Sequence, residues 1–568
     1  MTSHSVTNRE PGKDSAKAPH TNMMVDCIIA NLPEEALRSI MRGLLGGNPS
    51  ITSSFQKQVS NYLTSTKPET IPELFDTSQG SPKPNSSFQH IQSRYRCLMG
   101  CGYGFESVKI LTEIVRQVEA LEVDASEEDG RAFLEVLEIV DGDIVQSVTA
   151  IQKQFSTGSG VRSMIVEESE TVAEFKEALS SLREKQSASE HSKRNFPVDF
   201  PFERGMSRVE SLDGGDDRVK STNTKAVRTA STGFVSGGCK LESVRLGTAE
   251  VPRMFMGLWQ FSSPAWGSAS KSKINKHLRQ HVDAGLVAYD MADHYGDAEV
   301  TFGQFRSSQP DSEKIYCATK WAVFEPIKVT PEVVAANVTE RITALNSTSI
   351  ELLQFHWQDY GDKQYIEASQ LLEQDPRVSS LGLCNFDTEH MNEILDHGIK
   401  VASNQVQFSL IDLRPTFKIA ESCRKHQVKL LTYGSLCGGF LASKWVKKPA
   451  PNLFDKDMTP SHRKYLEMIT IWGGWSLFQE LLEQLAFIGK KYGFSISCVA
   501  IGWVLDHDYV GAVIIGARMG ISEHIEENLK VFSFRLDGED REVIQKALEK
   551  SRARDVFEAM GDCGAEYR

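Results

Sequence analysis

The stretch LVAYDMADHYGDAE, residues 286–299, places a short apolar run directly before a cluster of side chains that can exchange protons. The run ends at Asp290, and Asp293, His294 and Tyr295 follow before the chain turns at Gly296. A short apolar run of this length is typical of a buried β-strand. Either its polar end is simply exposed to water, or these side chains serve to move protons.

Seven further runs of the same texture lie between residues 240 and 568, separated by helix-like stretches such as TPEVVAANVTERITALN. In chain order the eight runs are RMFMGLWQ, LVAYDMAD, KIYCATKW, ELLQFHW, VSSLGLCN, SNQVQFS, KLLTYGSL and GAVIIGA. Eight strands, each followed by a helix, within about 330 residues predict an α/β fold, the (β/α)8 TIM barrel. An open doubly wound sheet usually carries GxGxxG after its first strand, and GLWQFSSPAWG is not such a motif.

The part of the chain before this barrel has a different residue pattern. Residues 1–24 are polar, which predicts a disordered tail. In residues 25–185, apolar residues such as Ile110, Ile114 and Val118 recur at helical spacing, which predicts a separate all-helical region. Residues 186–238 are rich in Ser, Gly and charge, which predicts a flexible linker. We therefore expect residues 239–568 to fold and to work without the rest.

Composition excludes several classes of protein. Of 568 residues, 40% are hydrophobic and 24% charged, as in globular proteins with a sizeable core. The net charge of −13 argues against a nucleic-acid partner. No apolar run approaches the roughly 20 residues of a membrane span, and the first residues lack the apolar core of a secretory signal. Ten sparse cysteines favour a reducing, cytoplasmic location, and no zinc-like spacing predicts a metal site.

The ends of the predicted strands carry four different proton-active side chains. In a (β/α)8 barrel the chemistry lies at the C-terminal ends of the strands. Asp290 and Tyr295 follow the second strand, Lys320 ends the third, and His356 ends the fourth. One such residue alone is more often structural, but four on consecutive strand ends predict a proton-transfer site.

Residues from about 240 to 568 resemble an aldo-keto reductase. YDMADHYGDAE is similar to the family's D-x-A-x-x-YG-x-xE element, LGLCNF to its IG-V-SN-F element, and SNQVQFSL to its NQ-V-QYSL element. YGSLCGGFLASKW resembles the segment after the seventh strand. The resemblance implies that Asp290, Tyr295, Lys320 and His356 form the family's catalytic tetrad. It also implies reduction of an aldehyde or ketone to an alcohol by a nicotinamide cofactor.

The chemistry of carbonyl reduction explains these four residue types. A carbonyl that accepts hydride develops alkoxide charge, so an acid must deliver a proton. A phenol is normally too weak an acid near neutral pH, and we expect the Lys320 ammonium to lower the pKa of Tyr295. Asp290 would balance Lys320 as a buried pair. His356 would donate a hydrogen bond to the carbonyl oxygen and orient it.

The resemblance further implies a set of cofactor contacts. Asn385 and Gln405 would hold the carboxamide, and Tyr433 would stack on the nicotinamide ring. Arg518 would clamp a 2′-phosphate, which favours NADP(H) over NAD(H). His524 stands where an arginine is common, and Cys384 where a serine is usual. The other predicted contacts are the backbone of Gly257, Leu258, Trp259, Leu436, Gly438 and Gly439, and the side chains of His524, Glu527 and Asn528 on the adenosine side.

Two functions remain open from the sequence. The first is an NADPH-dependent reductase of a small carbonyl substrate. The second is an NADP(H)-binding regulatory or sensor protein that acts through the helical region, because a barrel fold alone does not decide function. The complete tetrad favours the enzyme. Residues 25–185 would serve a protein partner or oligomerisation, and the long segment 437–475 would form a lid, with Trp472 and Trp475 either lining the pocket or packing outside it.

Overall fold

A computed structural model describes residues 28–29, 32–66, 70–78, 80–156, 163–190, 199–212, 235–236, 239–263, 266–453 and 458–568. The predicted disordered tail at residues 1–24 lies outside these ranges. Among the described residues, no helix combines the length and apolar character that a membrane crossing requires. The same residues contain no group of His, Cys, Asp and Glu side chains arranged to hold a metal ion.

The region before the barrel is built mainly from helices. They are α1 (Glu34–Gly47), α2 (Thr52–Ser65), α3 (Ser86–Gly100), α4 (Gly104–Glu119), α5 (Glu128–Ser156) and α6 (Val166–Glu190). One short antiparallel pair, β1 (Phe75–Asp76) with β2 (Lys83–Pro84), is an exception that the helical spacing did not predict. The apolar faces meet in one core, in which Ile110, Ile114 and Val118 of α4 are buried at the predicted spacing.

Residues 199–212 depart from the predicted flexible linker at 186–238. Residues 186–190 belong to α6, and α7 (Glu203–Glu210) follows. Phe202, Met206 and Val209 are buried in the helical core, so the helical region extends beyond residue 185. The sequence composition did not predict α7, because a composition count treats Arg204 and Arg208 as solvent-exposed charges. Both arginines are buried. Residues 191–198, 213–234 and 237–238 of that segment lie outside the described residues.

The C-terminal part forms the predicted barrel. Two antiparallel pairs precede it, β3 (Val235–Ser236) with β4 (Cys239–Lys240) and β5 (Ser243–Leu246) with β6 (Ala249–Pro252). Eight parallel strands then close on one another in chain order, with the last paired to the first. They are β7 (Met254–Gly257), β8 (Ala288–Asp290), β9 (Tyr316–Val323), β10 (Leu352–Trp357), β11 (Leu381–Cys384), β12 (Ser403–Gln407), β13 (Lys429–Tyr433) and β14 (Val510–Gly516). All eight overlap the predicted runs, although β9 continues past Lys320 to Val323.

Helices cover the outside of the barrel. They are α8 (Lys271–Asp283), α9 (Ala298–Ser308), α10 (Pro331–Ala344), α11 (Gln364–Gln374), α12 (Thr388–Asp396), α13 (Arg414–Phe417), α14 (Ile419–His426), α15 (Pro460–Trp472), α16 (Gly474–Tyr492), α17 (Ile496–Leu505), α18 (Ile525–Lys530), α19 (Gly538–Glu549) and α20 (Ala553–Met560). Every residue of β9 and β10 is buried, because one strand face fills the barrel and the other lies under these helices. This explains why most of the strand runs are rich in apolar residues.

The predicted lid contains α15, and its two tryptophans pack on the outer helices. Trp472 is fully buried. The Trp475 ring lies 5.8 Å from Phe440 and 5.4 Å from Phe478, centroid to centroid. Of the two alternatives, the structure therefore shows the packing cluster. Tyr465 of α15 reaches the strand ends, where its hydroxyl lies 3.3 Å from Gln407 Oε1.

Candidate active site

A buried ion pair lies at the C-terminal ends of β8 and β9. Lys320 Nζ donates to Asp290 Oδ2 at 2.7 Å and to the Met291 carbonyl oxygen at 2.9 Å. The other oxygen of Asp290 accepts from the amide nitrogens of Gln354 at 2.7 Å and Gln405 at 2.8 Å. Burial lowers the pKa of Lys320, but the attraction of Asp290 outweighs it and leaves the pKa raised. Lys320 therefore remains an ammonium group inside the barrel.

Tyr295 lies in the turn after β8, beside this pair. Lys320 Nζ is 4.9 Å from the centroid of the Tyr295 ring. Burial raises the pKa of Tyr295, and the Lys320 ammonium lowers it by a smaller amount, so the pKa stays above its ordinary value. The expected effect of Lys320 is thus present but does not dominate. The phenol keeps its proton at neutral pH and has it available to transfer.

His356 is the penultimate residue of β10 and has a defined tautomer. Its Nδ1 lies 3.0 Å from the Cys384 carbonyl oxygen. A carbonyl oxygen only accepts, so Nδ1 carries the hydrogen and donates it. Burial, and secondarily the charge of Arg568, lowers the pKa of His356 to about 4, so the ring is neutral at neutral pH. Its Nε2 is then an acceptor, and it is buried with no hydrogen-bond partner among the described residues.

This geometry differs from the role expected for His356. A neutral imidazole with its hydrogen on Nδ1 has a lone pair on Nε2 and cannot donate from that atom. Donation from Nε2 to a substrate carbonyl requires the ring to move its hydrogen from Nδ1 to Nε2, which gives up the bond to Cys384, or to gain a second proton, which burial opposes.

Asp293 and His294 brace the turn that carries Tyr295. The His294 ring lies 4.8 Å from the Tyr295 ring and 5.2 Å from Phe324, which in turn lies 5.6 Å from His356. His294 Nδ1 is 2.9 Å from Asp293 Oδ1. The rings of His294 and Phe324 thus link Tyr295 to His356 by packing.

The residues expected to hold the cofactor lie at the same rim, after β7, β11, β12, β13 and β14. Gly257 ends β7, and Leu258 and exposed Trp259 follow it. After β13, Leu436 leads into a turn in which Gly438 and Gly439 have φ values of +63° and +95°. Backbone of this left-handed kind favours glycine. A Cβ at Gly438 would lie 2.9 Å from Tyr465 Cδ2, whereas a Cβ at Gly439 would meet no atom within 4 Å. The open side at Gly439 therefore leaves room for a pyrophosphate group.

Asn385 and Tyr433 contact residues of the segment 561–568. Tyr433 donates its hydroxyl hydrogen to Asn385 Oδ1 at 3.0 Å, and the same hydroxyl lies 3.1 Å from the Tyr567 hydroxyl. The Tyr567 ring stands edge-on to His356, with centroids 5.7 Å apart. A Cβ at Gly564 would lie 2.0 Å from the Asn385 carbonyl oxygen, so this segment packs directly on the rim. Residues 561–568 thus border the predicted nicotinamide site.

A buried arginine anchors this 561–568 segment. Arg414 pairs with Asp412 (Nε to Oδ1, 2.8 Å) and with Glu566 (Nη1 to Oε2, 2.7 Å). Arg568 places its guanidinium carbon 4.1 Å from the ring centroid of Tyr360. The segment is therefore fixed at both of its final charged residues.

The residues expected to contact the adenosine part of the cofactor lie beyond β14. They differ in exposure and in whether their side chains already have hydrogen-bond partners. Arg518 is exposed, and its Nε donates to the Trp266 carbonyl oxygen at 2.9 Å. His524 is exposed at the start of α18, whereas Asn528 is buried and Glu527 accepts a hydrogen bond from Ser495. Arg518 and His524 are thus open to a phosphate, and Glu527 is already engaged.

Gln405 has a different environment from the one expected. Its amide nitrogen contacts Asp290 and also lies 2.8 Å from Gln354 Oε1, inside the ion-pair cluster. Sequence reasoning missed Gln354, although a signal existed: it stands two residues before His356, on the same face of β10. It also missed Tyr567, which no motif marks.

Comparison with known proteins gives matches over the barrel portion. Residues 253–549 match the model of the Aldo/keto reductase family, and residues 1–250 match no family model. Aldo-keto reductase YhdN of Bacillus subtilis (strain 168) is 22% identical over 317 residues, covering 53% of this chain and 91% of the relative. The NADH-specific methylglyoxal reductase of Escherichia coli (strain K12) is 21% identical over 335 residues, covering 54% and 99%.

Solved structures resemble the chain over a similar share of its length. A glycerol dehydrogenase from Gluconobacter oxydans has a TM-score of 0.47 and 24% identity, and covers 55% of this chain and 96% of that one. An aldo/keto reductase from Klebsiella pneumoniae in complex with NADP and acetate has a TM-score of 0.41 and 20% identity, and covers 54% and 95%.

Proposed function

Because this chain belongs to the aldo/keto reductase family, we propose that its barrel reduces an aldehyde or ketone to an alcohol, with Tyr295 as the general acid. The family uses nicotinamide cofactors, and a bound reduced nicotinamide supplies the hydride. The observation that carries the proposal is the buried Lys320 ammonium, held by Asp290 and 4.9 Å from the Tyr295 ring.

The four residues divide the work of proton transfer. As hydride reaches the carbonyl carbon, Tyr295 gives its phenolic proton to the forming alkoxide oxygen. The phenolate left on Tyr295 is stabilised by the adjacent Lys320 charge. Asp290 keeps Lys320 charged and fixed in place, and Gln354 and Gln405 keep Asp290 oriented through their amide hydrogens.

In this proposal, His356 does not donate a hydrogen bond to the substrate carbonyl and has a narrower role. With its hydrogen on Nδ1, the ring accepts at Nε2 the hydroxyl hydrogen of the alcohol that the reaction forms. In the oxidation direction, the same lone pair holds the incoming alcohol until its hydroxyl hydrogen turns to the Tyr295 phenolate, which takes it. The Cys384 carbonyl oxygen fixes the ring plane in both directions.

We further propose NADP(H) as the cofactor. Exposed Arg518, fixed by its bond to Trp266, supports a 2′-phosphate contact, and the Gly438–Gly439 turn supports a pyrophosphate contact. The Escherichia coli relative is named as NADH-specific, so family membership does not determine this choice. The residues that would bind the nicotinamide end are Asn385, Gln405 and Tyr433.

Tyr295→Phe tests the proposed acid. In the full chain, NADPH oxidation with a panel of aldehydes and ketones should fall about 10²–10⁴-fold, because the variant has lost a positioned acid. NADPH binding, measured by fluorescence, should change little. Lys320→Met should act similarly, and the double variant should lose much less than the product of the two single losses, because the two residues act as a unit.

Tyr316→Phe is a matched control, since Tyr316 is another buried tyrosine, at the opposite end of β9. It should retain activity. Full activity in Tyr295→Phe would assign the proton to another group. A wild-type chain that binds NADPH but reduces no compound on the panel would favour the regulatory alternative.

Arg518→Ala tests the cofactor. Losing a charge-assisted phosphate contact should weaken NADPH binding by roughly 1.5–3 kcal/mol, or about ten- to over a hundredfold. NADH lacks the phosphate and should bind almost as before. Arg424→Ala, which removes an exposed arginine paired with Asp508 at the opposite end of the barrel, should change neither affinity. Equal losses for both cofactors would contradict the phosphate role.

A further inference from the structure

A buried ion pair joins the helical region to the turn that carries Tyr295. Arg204 of α7 donates from Nε to Asp297 Oδ2 at 2.9 Å and from Nη2 to Asp297 Oδ1 at 2.7 Å. The side chains are only 6% and 2% exposed. Asp297 lies two residues after Tyr295, and the Tyr295 carbonyl oxygen accepts from the Ala298 backbone at 3.1 Å. Arg204 thus binds Asp297, the residue that ends the Tyr295 turn.

Arg204 also contacts the loop after β7. Its Nη1 donates to Ser268 Oγ at 3.0 Å and lies 3.5 Å from the Ala269 carbonyl oxygen. Its guanidinium carbon is 5.2 Å from the centroid of the Phe261 ring. One side chain from the helical region therefore ties together the loops that follow the first two barrel strands.

Helix α5 packs against the same turn from a second direction. Gln146 Nε2 donates to the Phe261 carbonyl oxygen at 3.0 Å. Gly296, the neighbour of Tyr295, has a φ of +61°, and a Cβ there would lie 2.8 Å from Gln146 Nε2 and 3.3 Å from Val145 Cγ1. The turn has no room for a side chain at Gly296 because the Phe261 carbonyl oxygen, 2.6 Å from a Cβ there, and the side chains of α5 occupy that space.

A chain of polar contacts extends from α5 toward Asp293. Gln152 of α5 donates to Glu340 Oε1 at 2.7 Å, and Glu340 Oε2 lies 3.0 Å from Arg341 Nη2. Arg341 Nη1 lies 3.7 Å from Asp293 Oδ2. Arg208 of α7 also donates to Gln152. Both ends of the Asp293–Asp297 turn therefore connect to the helical region.

The Arg204–Asp297 pair fixes geometry because both charges are removed from water. Burial raises the pKa of Asp297, but Arg204 outweighs it and leaves the pKa below its ordinary value. A bidentate guanidinium–carboxylate contact restricts direction as well as distance. Helix α7 itself is held to α5, since the backbone nitrogen of Gly205 donates to Asp141 Oδ1 at 2.7 Å.

We propose that Arg204 is a positioning residue of the active site, which acts through Asp297 to hold the Tyr295 turn in its reactive place. The helical region is then a required part of the reductase and not an independent appendage. This inference rests on the proposed role of Tyr295 as the acid. Arg204 itself touches neither Tyr295 nor the ion pair at Lys320.

Arg204→Met and the double variant Arg204→Met with Asp297→Asn, both in the full chain, separate positioning from stability. The single variant leaves Asp297 buried without a counter-charge, so it should lower Tm, whereas the double variant removes both charges and should recover much of that loss. A displaced acid costs on the order of 10²-fold in kcat. We expect kcat to fall in both variants, with the Kd for NADPH unchanged, and amide hydrogen exchange at residues 293–297 to rise in both.

Arg96→Met is the matched control. Arg96 makes a similar bidentate contact with buried Asp143, but within the helical region and away from the barrel turn. It should lower Tm while leaving kcat and exchange at residues 293–297 unchanged. Recovery of kcat together with Tm in the double variant would reduce Arg204 to a stability role and overturn the proposal.

The amide hydrogen exchange measurement tests the positioning role of Arg204 independently of the proposed function. A wild-type chain without turnover would refute the reductase proposal, and exchange at residues 293–297 would still decide whether Arg204 holds the turn. Unchanged exchange there in Arg204→Met would overturn the positioning role whatever the activity.

Discussion

At His356, one hydrogen bond and burial together determine which ring nitrogen carries the hydrogen. The bond from Nδ1 to the Cys384 carbonyl oxygen fixes the tautomer, and burial holds the pKa at about 4. Tyr295 follows the same logic, since burial outweighs the nearby Lys320 in setting its pKa. At His356 and Tyr295 burial thus outweighs the neighbouring charge, whereas at Lys320 the charge of Asp290 outweighs burial.

A prediction for His356 follows from its pKa. The ring should stay neutral, with its hydrogen on Nδ1, from pH 5 to pH 8, and imidazole ¹⁵N chemical shifts would report this. The folded pKa lies below the ordinary value of about 6.5, so the unfolded state binds more protons between pH 4 and 6.5. Folding stability should therefore rise with pH across that window, and His356→Gln should reduce the slope. Titration of His356 near pH 6.5 would contradict the assigned tautomer.

Among the structural elements, α7 and the 561–568 segment are the two that bear most on the site, and sequence patterns marked neither. Both are held by buried arginines, Arg204 in α7 and Arg414 beside the 561–568 segment. A buried arginine looks like surface charge in a composition count, and only its partners reveal that it is internal. For this reason, the composition of the segment 186–238, predicted as a flexible linker, did not indicate the helix α7 within it.

The anchoring of the 561–568 segment can be tested by comparing two variants. Arg414→Met leaves Asp412 fully buried without its counter-charge and should cost about 3–5 kcal/mol in urea unfolding. Glu566→Gln leaves the Asp412 pair intact and should cost only about 0.5–1.5 kcal/mol. Arg279→Met, which breaks a more exposed pair with Asp311, should cost at most about 1 kcal/mol. Equal losses for the first two variants would show that Asp412 does not depend on Arg414.

At the scale of the whole molecule, two hydrophobic cores, one in the helical region and one in the barrel, meet through polar contacts. Arg204, Gln146 and Gln152 are among the residues that make these contacts, as are the Lys271–Glu203 and Lys273–Glu138 pairs. Arg204 and Gln146 reach loops at the catalytic rim of the barrel. The expectation that residues 239–568 work alone remains untested, but these contacts argue against it. A barrel without the helical region would expose Asp297 and leave the Tyr295 turn unsupported.

The sequence by itself determined the barrel and the positions of its four proton-active residues. The apolar character of a strand and the residues at its end are local properties of the sequence. The eight runs and their order were therefore enough to assign four residues to one rim of the barrel: Asp290, Tyr295, Lys320 and His356. Arg518 and the Gly438–Gly439 turn were marked only by the resemblance to the aldo-keto reductase family.

Only the tertiary structure decided which residues support that rim. Arg204 and Asp297 lie 93 positions apart, and Tyr567 lies far along the chain from the His356 ring that it meets. The tautomer of His356 and the raised pKa of Tyr295 likewise depend on burial by residues remote in the chain. Burial and long-range pairing are properties of the packed molecule, and a local sequence pattern does not contain them.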